Sequence, residues 1–163
     1  MWSDIDIDRI EIKPGTKDRF FYNGKILRFQ IPRGLCIWGV SAYSSLNITL
    51  PSQEFVDWWK RLETHLCPRD PFSSNLKGPD ELRLKIDRAT YIFDENSKQI
   101  LPEVKEGLFR GHELSCLVDV ESNYFFNGSW GLVCRAAQIK TYTPDEPVVT
   151  EAPVFQKGQC AFL

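Results

Sequence analysis

The sequence predicts a mainly β domain with one clear α-helix, built as a small antiparallel barrel. Three observations predict it. Apolar residues alternate at period two over a series of short segments, the pattern of strands with one buried face. One stretch, 53–66, repeats its apolar residues at helical spacing instead. Asn127-Gly128 joins two long alternating segments, the strongest short hairpin signal in the chain. Short strands, one helix and long loops close most simply as a small barrel. A length of 163 residues fits one domain, expected over 1–143 with an extended C-terminal tail over 144–163. A hydrophobic share of 42%, a charged share of 26% and a mean hydropathy of −0.30 exclude disordered and collagen-like classes. No apolar run approaches the ~18 residues of a membrane span.

The elements follow in order. Ile5 and Ile7 share one parity and Ile10 and Ile12 the other, which reads as a strand with a bulge at Asp8-Arg9. Leu27, Phe29 and Ile31 face one side of a strand over 25–31, which Pro32-Arg33-Gly34 ends. Leu35 to Val40 is a short apolar run holding Trp38, and Leu46, Ile48 and Leu50 alternate again. Ser52 after Pro51 is a helix N-cap. The helix Gln53 to Leu66 carries a stripe of Phe55, Trp59, Leu62 and Leu66, widened by Val56 and Trp58, and Pro68 stops it. A loop of thirteen residues, 68–80, is long enough to be functional. From Glu81 to Phe93 one strand puts Leu82, Leu84 and Ile86 inward and Arg83, Lys85, Asp87, Tyr91 and Phe93 outward. Leu114, Cys116, Val118 and Val120 share the inner face of the next strand. The return strand of the hairpin, 130–140, carries Arg135, Gln138 and Lys140.

The chemistry absent from the chain narrows its function. There is no glycine-rich phosphate loop and no GxSxG or HExxH motif. His65 sits where a helix-terminal cation belongs, and His112 reads as an exposed strand start. The five cysteines have no zinc spacing, and the acidic N-terminus is unlike a signal peptide, so reduced thiols in an intracellular setting are expected. Asp4, Asp6 and Asp8 would share one strand face, where they could bind Mg²⁺ or simply be a solvated edge. No catalytic residue, resident metal or cofactor is assigned.

Net charge is −2, but unevenly spread. Residues 19–140 hold sixteen bases and fourteen acids, so the interior is slightly basic and the ends acidic. Cations to follow phosphates and flat rings to stack on bases are what a single nucleic-acid strand requires, and the exposed wall of an OB-like barrel is a place to put them. The residues of these types on plausible faces are Arg28, Arg33, Trp38, Arg83, Lys85, Tyr91, Trp130, Arg135 and Lys140. Against this, a charged strand face is commonly just solvated, and Trp38 and Trp130 are types that more often anchor a core.

Several segments carry a family likeness: Trp38-Gly39-Val40-Ser41, the helix from Phe55 to Glu63, Leu82-Arg83-Leu84-Lys85-Ile86, and Leu117-Val118-Asp119-Val120. Phe126-Asn127-Gly128-Ser129-Trp130-Gly131-Leu132, Ala137-Gln138-Ile139-Lys140 and the ending from Lys157 to Leu163 continue it in the same order. The chain resembles the single-stranded-DNA-binding OB-fold proteins of large nucleocytoplasmic DNA viruses, a group distantly similar to bacteriophage single-strand binders. The resemblance implies an exposed basic strand at Arg83 and Lys85, and a hairpin face with Trp130, Arg135 and Lys140. It implies sequence-tolerant binding of single-stranded DNA, with RNA as the other candidate strand, in viral DNA replication, repair or recombination. Replication proteins would be its partners, in the host nucleus or a cytoplasmic viral replication site, with no membrane involved. Two other readings stand beside it. One is a protein-interaction module working through an exposed sheet edge or the Trp58-bearing helix. The other is a metal-dependent nuclease using the three aspartates.

Overall fold

The computed structural model describes residues 1–144. Five strands close a ring: β5 (Gly34–Cys36), β6 (Ser45–Thr49), β7 (Glu81–Lys85), β11 (Ser129–Tyr142) and β10 (His112–Phe126), which pairs back to β5. The architecture is the expected OB-like barrel. One seam differs from an all-antiparallel ring, because β7 runs parallel to β11 with Lys85 opposite Arg135. Before the ring come β1 (Glu11–Lys13), β2 (Arg19–Tyr22), β3 (Lys25–Ile26) and β4 (Arg28–Gln30). Of these, β4 lies along β10 through Arg28 to Asp119 and Gln30 to Leu117. Two further strands, β8 (Tyr91–Phe93) and β9 (Gln99–Ile100), extend the sheet on the far side of β11.

The alternating apolar residues meet inside. Leu46, Ile48, Leu82, Leu84, Leu114, Cys116, Val118, Val120, Ala136 and Ile139 are all buried. Helix α1 (Gln53–Leu66) starts where expected, with the Ser52 hydroxyl accepting the Phe55 N–H at 3.1 Å. Its stripe caps one end of the core. Trp58 is 5% exposed, with its ring 5.0 Å from Phe29 and 5.4 Å from Trp2. The helix therefore has no free Trp58 to offer a partner, which corrects that docking reading.

The N-terminus departs from the expected bulged strand. Trp2–Asp4 and Ile7–Arg9 are 3₁₀ turns. The Asp6 carboxylate accepts the Asp8 N–H at 3.2 Å, and the Asp6 N–H donates to the Tyr22 hydroxyl at 3.0 Å. Local side-chain bonding of this kind competes with strand pairing. Trp2, Ile5 and Ile7 then pack on the core. The strand expected over 81–93 also breaks. The Asp87 N–H donates to the Thr90 hydroxyl at 3.2 Å, and the Asp87 carboxylate accepts the Ala89 N–H at 2.9 Å, closing an Asx turn between β7 and β8. His112 is half-buried rather than exposed, with Nδ1 2.9 Å from the Thr141 hydroxyl, and burial lowers its pKa.

The long loop 68–80 is tied down by a buried carboxylate. Glu63, on the helix stripe, accepts the Ser74 hydroxyl at 2.7 Å and the Asn75 N–H at 2.9 Å. Phe72 bridges to Trp130 and Leu76 to Leu82. The extended tail expected over 144–163, with Cys160 and the family-like ending, lies outside the described residues beyond Thr143 and Pro144.

Replacing Glu63 by Ala strands two donors, and bonds to charged groups contribute about 1.5–3 kcal/mol each. Urea unfolding of Glu63→Ala should show a loss of about 3–6 kcal/mol, with faster proteolysis inside 68–80. Glu63→Gln, which keeps one acceptor oxygen, should lose less.

Candidate nucleic-acid interface

Strand register places outward side chains in rows across the barrel wall. Directly paired residues project on the same side of a sheet. The first row runs Arg28 (β4), Asp119 (β10), Arg135 (β11), Lys85 (β7) and Ser45 (β6). The second runs Gln30, Leu117, Gln138 and Tyr91, and the third Ser115, Lys140 and Phe93. Neighbouring strands lie about 4.8 Å apart, so a four-strand row is about 14 Å wide. A bulge joins the first two rows. Leu117 faces Gln138 but Val118 faces Ala136, leaving Ala137 as the extra residue.

The first row is an ion chain. Arg28 donates Nε to Asp119 Oδ1 at 2.6 Å and Nη2 to Oδ2 at 3.0 Å. Arg135 donates Nε to Asp87 Oδ2 at 2.9 Å, and its Nη1 is 3.6 Å from Asp119 Oδ2. The Asp87 hydrogen bond holds the Arg135 pKa above its ordinary value, and the same bond lowers that of Asp87. The bond to Asp119 likewise raises that of Arg28. Arg135 has 12% of its side chain exposed and Arg28 44%.

The structure gathers Arg28, Arg135, Lys85, Tyr91 and Lys140, with Arg83 two residues along β7 on the same side. Arg83 is exposed and donates to Asn47 Oδ1 at 3.2 Å, while Lys85 is exposed and makes no salt bridge among the described residues. Tyr91 is 55% exposed. Lys140 donates to Ser97 Oγ at 3.1 Å. Arg33 stands at the rim, paired with Glu113 at 2.6 Å, its guanidinium 3.5 Å over the Tyr142 ring.

The two tryptophans lie apart from the rows. Trp38 projects from the loop after β5 and is 69% exposed, so it is no core anchor. Its loop is held by Val40 N–H to the Leu108 carbonyl and Gly107 N–H to the Val40 carbonyl, both 2.8 Å. Gly39 makes this possible: at φ +80° a Cβ would fall 2.7 Å from Gly107. Trp130 sits near the hairpin tip, half-buried, 5.1 Å from Phe125 and under Arg69 at 4.5 Å. Phe125 projects there beside it, while Phe126 and Tyr124 stand exposed on the other face of β10, Tyr124 lying across Gly131.

Between the second and third rows lies an open trough of about 380 Å³, lined by Gln30, Leu117, Gln138, Ser115, Lys140 and Phe93. Sequence reasoning missed it, along with Tyr142 and the exposed tip phenylalanines. Parity marked Phe93 as outward, but nothing local showed that Gln30, Leu117 and, past the bulge, Gln138 would stand beside it. The three N-terminal aspartates gain no strand face, and the described residues contain no cluster of three metal-ligating side chains. That removes the shared strand face on which the nuclease reading rested.

The fold has solved counterparts. The single-stranded DNA-binding protein from bacteriophage Enc34 matches with a TM-score of 0.56 at 10% identity, over 89% of this chain and 95% of that one. A structure of that protein in complex with ssDNA matches with a TM-score of 0.55 at 9% identity, over 86% of this chain and 98% of that one. At such identity the likeness is one of fold. No protein-family model and no curated protein matches the chain.

Removing Asp119 leaves Arg28 with 44% of its side chain in water and Arg135 still paired with Asp87, so neither charge is stranded. Asp119→Ala should cost about 1.5–3 kcal/mol in denaturant titration, the size of a lost hydrogen bond to a charged group. Asp87 has a folded pKa below its unfolded value of 3.8, so its pairing stabilises above that value and is lost as pH falls through the folded one. Melting temperature followed from pH 6 down to pH 2 should therefore fall less steeply in Asp87→Asn than in the parent chain.

Proposed function

We propose that the chain binds single-stranded DNA along this wall, without catalysing a reaction and without a cofactor. The observation that carries the reading is the aligned array itself: cations and an exposed ring on adjacent strands of a closed OB-like barrel. The fold likeness to a phage protein solved with ssDNA supports it. Arg83, Lys85, Lys140 and the open side of Arg28 take the phosphates. Tyr91 stacks a base, with Trp38 and Trp130 as outlying platforms. Arg135 neutralises Asp119 and Asp87, so its part is to keep carboxylates from repelling the strand. Arg33 steadies Tyr142 at the rim. The setting we propose is viral DNA replication, repair or recombination, with replication proteins as partners, in the nucleus or at a cytoplasmic replication site. RNA is the competing strand to test.

A second reading, protein binding, is favoured at one place. Phe125 and Phe126 are 58% and 68% exposed at the hairpin tip. Capture of one defined partner that survives high salt, lost in Phe125→Ser with Phe126→Ser, would favour it.

Tryptophan fluorescence titrated with oligonucleotide should report binding that weakens with salt. About three or four phosphate contacts give a slope of log K on log[salt] near −2 to −3, at about 0.7 per contact. No binding in dilute salt overturns the reading. Arg83→Glu with Lys85→Glu should lower affinity at least tenfold with an unchanged melting temperature. Unaltered affinity would move the strand to another face.

A further inference from the structure

We infer that the trough between the second and third rows is a subsite for one unpaired nucleobase, whose edge is read by the carboxamides of Gln30 and Gln138. The inference rests on the single-strand reading above and adds base preference to it.

The trough has the composition of a base site. At about 380 Å³ it falls within the size range of small-molecule pockets. Its floor is Leu117, an apolar surface on which a flat ring can lie. Gln30 and Gln138 are the two cross-strand partners of Leu117, one on β4 and one on β11, so their carboxamides straddle that floor. Among the described residues neither carboxamide makes a side-chain hydrogen bond. Each therefore keeps two N–H donors and a carbonyl acceptor for a ligand. Phe93 supplies an aromatic wall from β8, and Ser115 a hydroxyl. Lys140, beside Phe93 in the third row, is the cation of this lining and is placed for the phosphate attached to the base. A trough built for the phosphate backbone would carry several cations and no pair of free amides.

The chemistry differs from that of Tyr91. A stacking ring accepts any base, because every base has a π-face. An amide that finds no partner on the wrong base leaves a desolvated donor or acceptor unpaired, and this is what discriminates. A good bidentate contact separates right from wrong base by about tenfold or more.

The test is the affinity of oligo-dA, oligo-dC and oligo-dT of equal length for four proteins: parent, Gln30→Leu with Gln138→Leu, Gln138→Glu, and Arg83→Glu with Lys85→Glu. The parent should favour one base at least tenfold. The leucine pair should bring the three affinities within about threefold while binding persists. Gln138→Glu removes the N–H donors and should turn preference toward oligo-dC and oligo-dA, whose amino groups donate to a carboxylate, and away from oligo-dT. It also keeps the test open if the leucine pair does not fold. Reversing Arg83 and Lys85 should weaken all three equally and keep their order. Equal affinities in the parent, or an order untouched by the Gln138 variants, overturns this inference and leaves the strand-binding reading standing. Absence of binding to all three by the parent overturns both.

Discussion

Asp119 organises the candidate face. It is buried, and it lies between two guanidiniums from different strands, Arg28 on β4 and Arg135 on β11. Arg135 passes the connection on to Asp87, in the turn that ends β7. A carboxylate taken out of water is tolerable only when its charge and lone pairs are matched. The chain of four therefore ties together three strands and a turn that sequence separation keeps far apart. The bulge at Ala137 is part of the same arrangement. Arg135 and Gln138 are three apart, so a regular strand would point them to opposite sides. The extra residue lets Arg135 face Asp119 and Gln138 face Leu117 on one surface.

This arrangement shapes how the wall meets a ligand. The cations nearest its centre are neutralised by carboxylates on the protein, and those lacking such a partner stand toward β7 and β8. Bare electrostatics is thus moderate, in keeping with a net charge of −2. Under the proposed strand-binding reading, discrimination falls to rings and hydrogen-bonding groups between the cations. Tyr91, Leu117 and the two glutamines occupy that place.

Much of this was legible from residues in order. The Ser52 cap, the stripe from Phe55 to Leu66 and the Asn127-Gly128 turn are local signals, and the structure follows them. Alternation named the inward residues of β6, β7 and β10 correctly, and marked Arg83, Lys85 and Tyr91 as outward. What stayed hidden needed tertiary partners. Asp6 and Asp87 turn the backbone by bonding their own neighbours, which overrides alternation around them. Glu63 reads as an ordinary polar position until loop 68–80 folds over it. Trp38 reads as core by type, but Gly39 packing against Gly107 turns its loop outward. The trough depends on β4 lying beside β10, a pairing across about ninety residues that periodicity does not encode.

Ring closure has a consequence for crowded conditions. The sheet path ends at β1, three residues long, and at β9, only two. Copies lined up shoulder to shoulder on a shared polymer would meet at high local density, where any long bare margin invites runaway stacking of one sheet onto the next. Margins this brief give little template for one sheet to continue into the next, so the molecule guards its own edges by keeping them short.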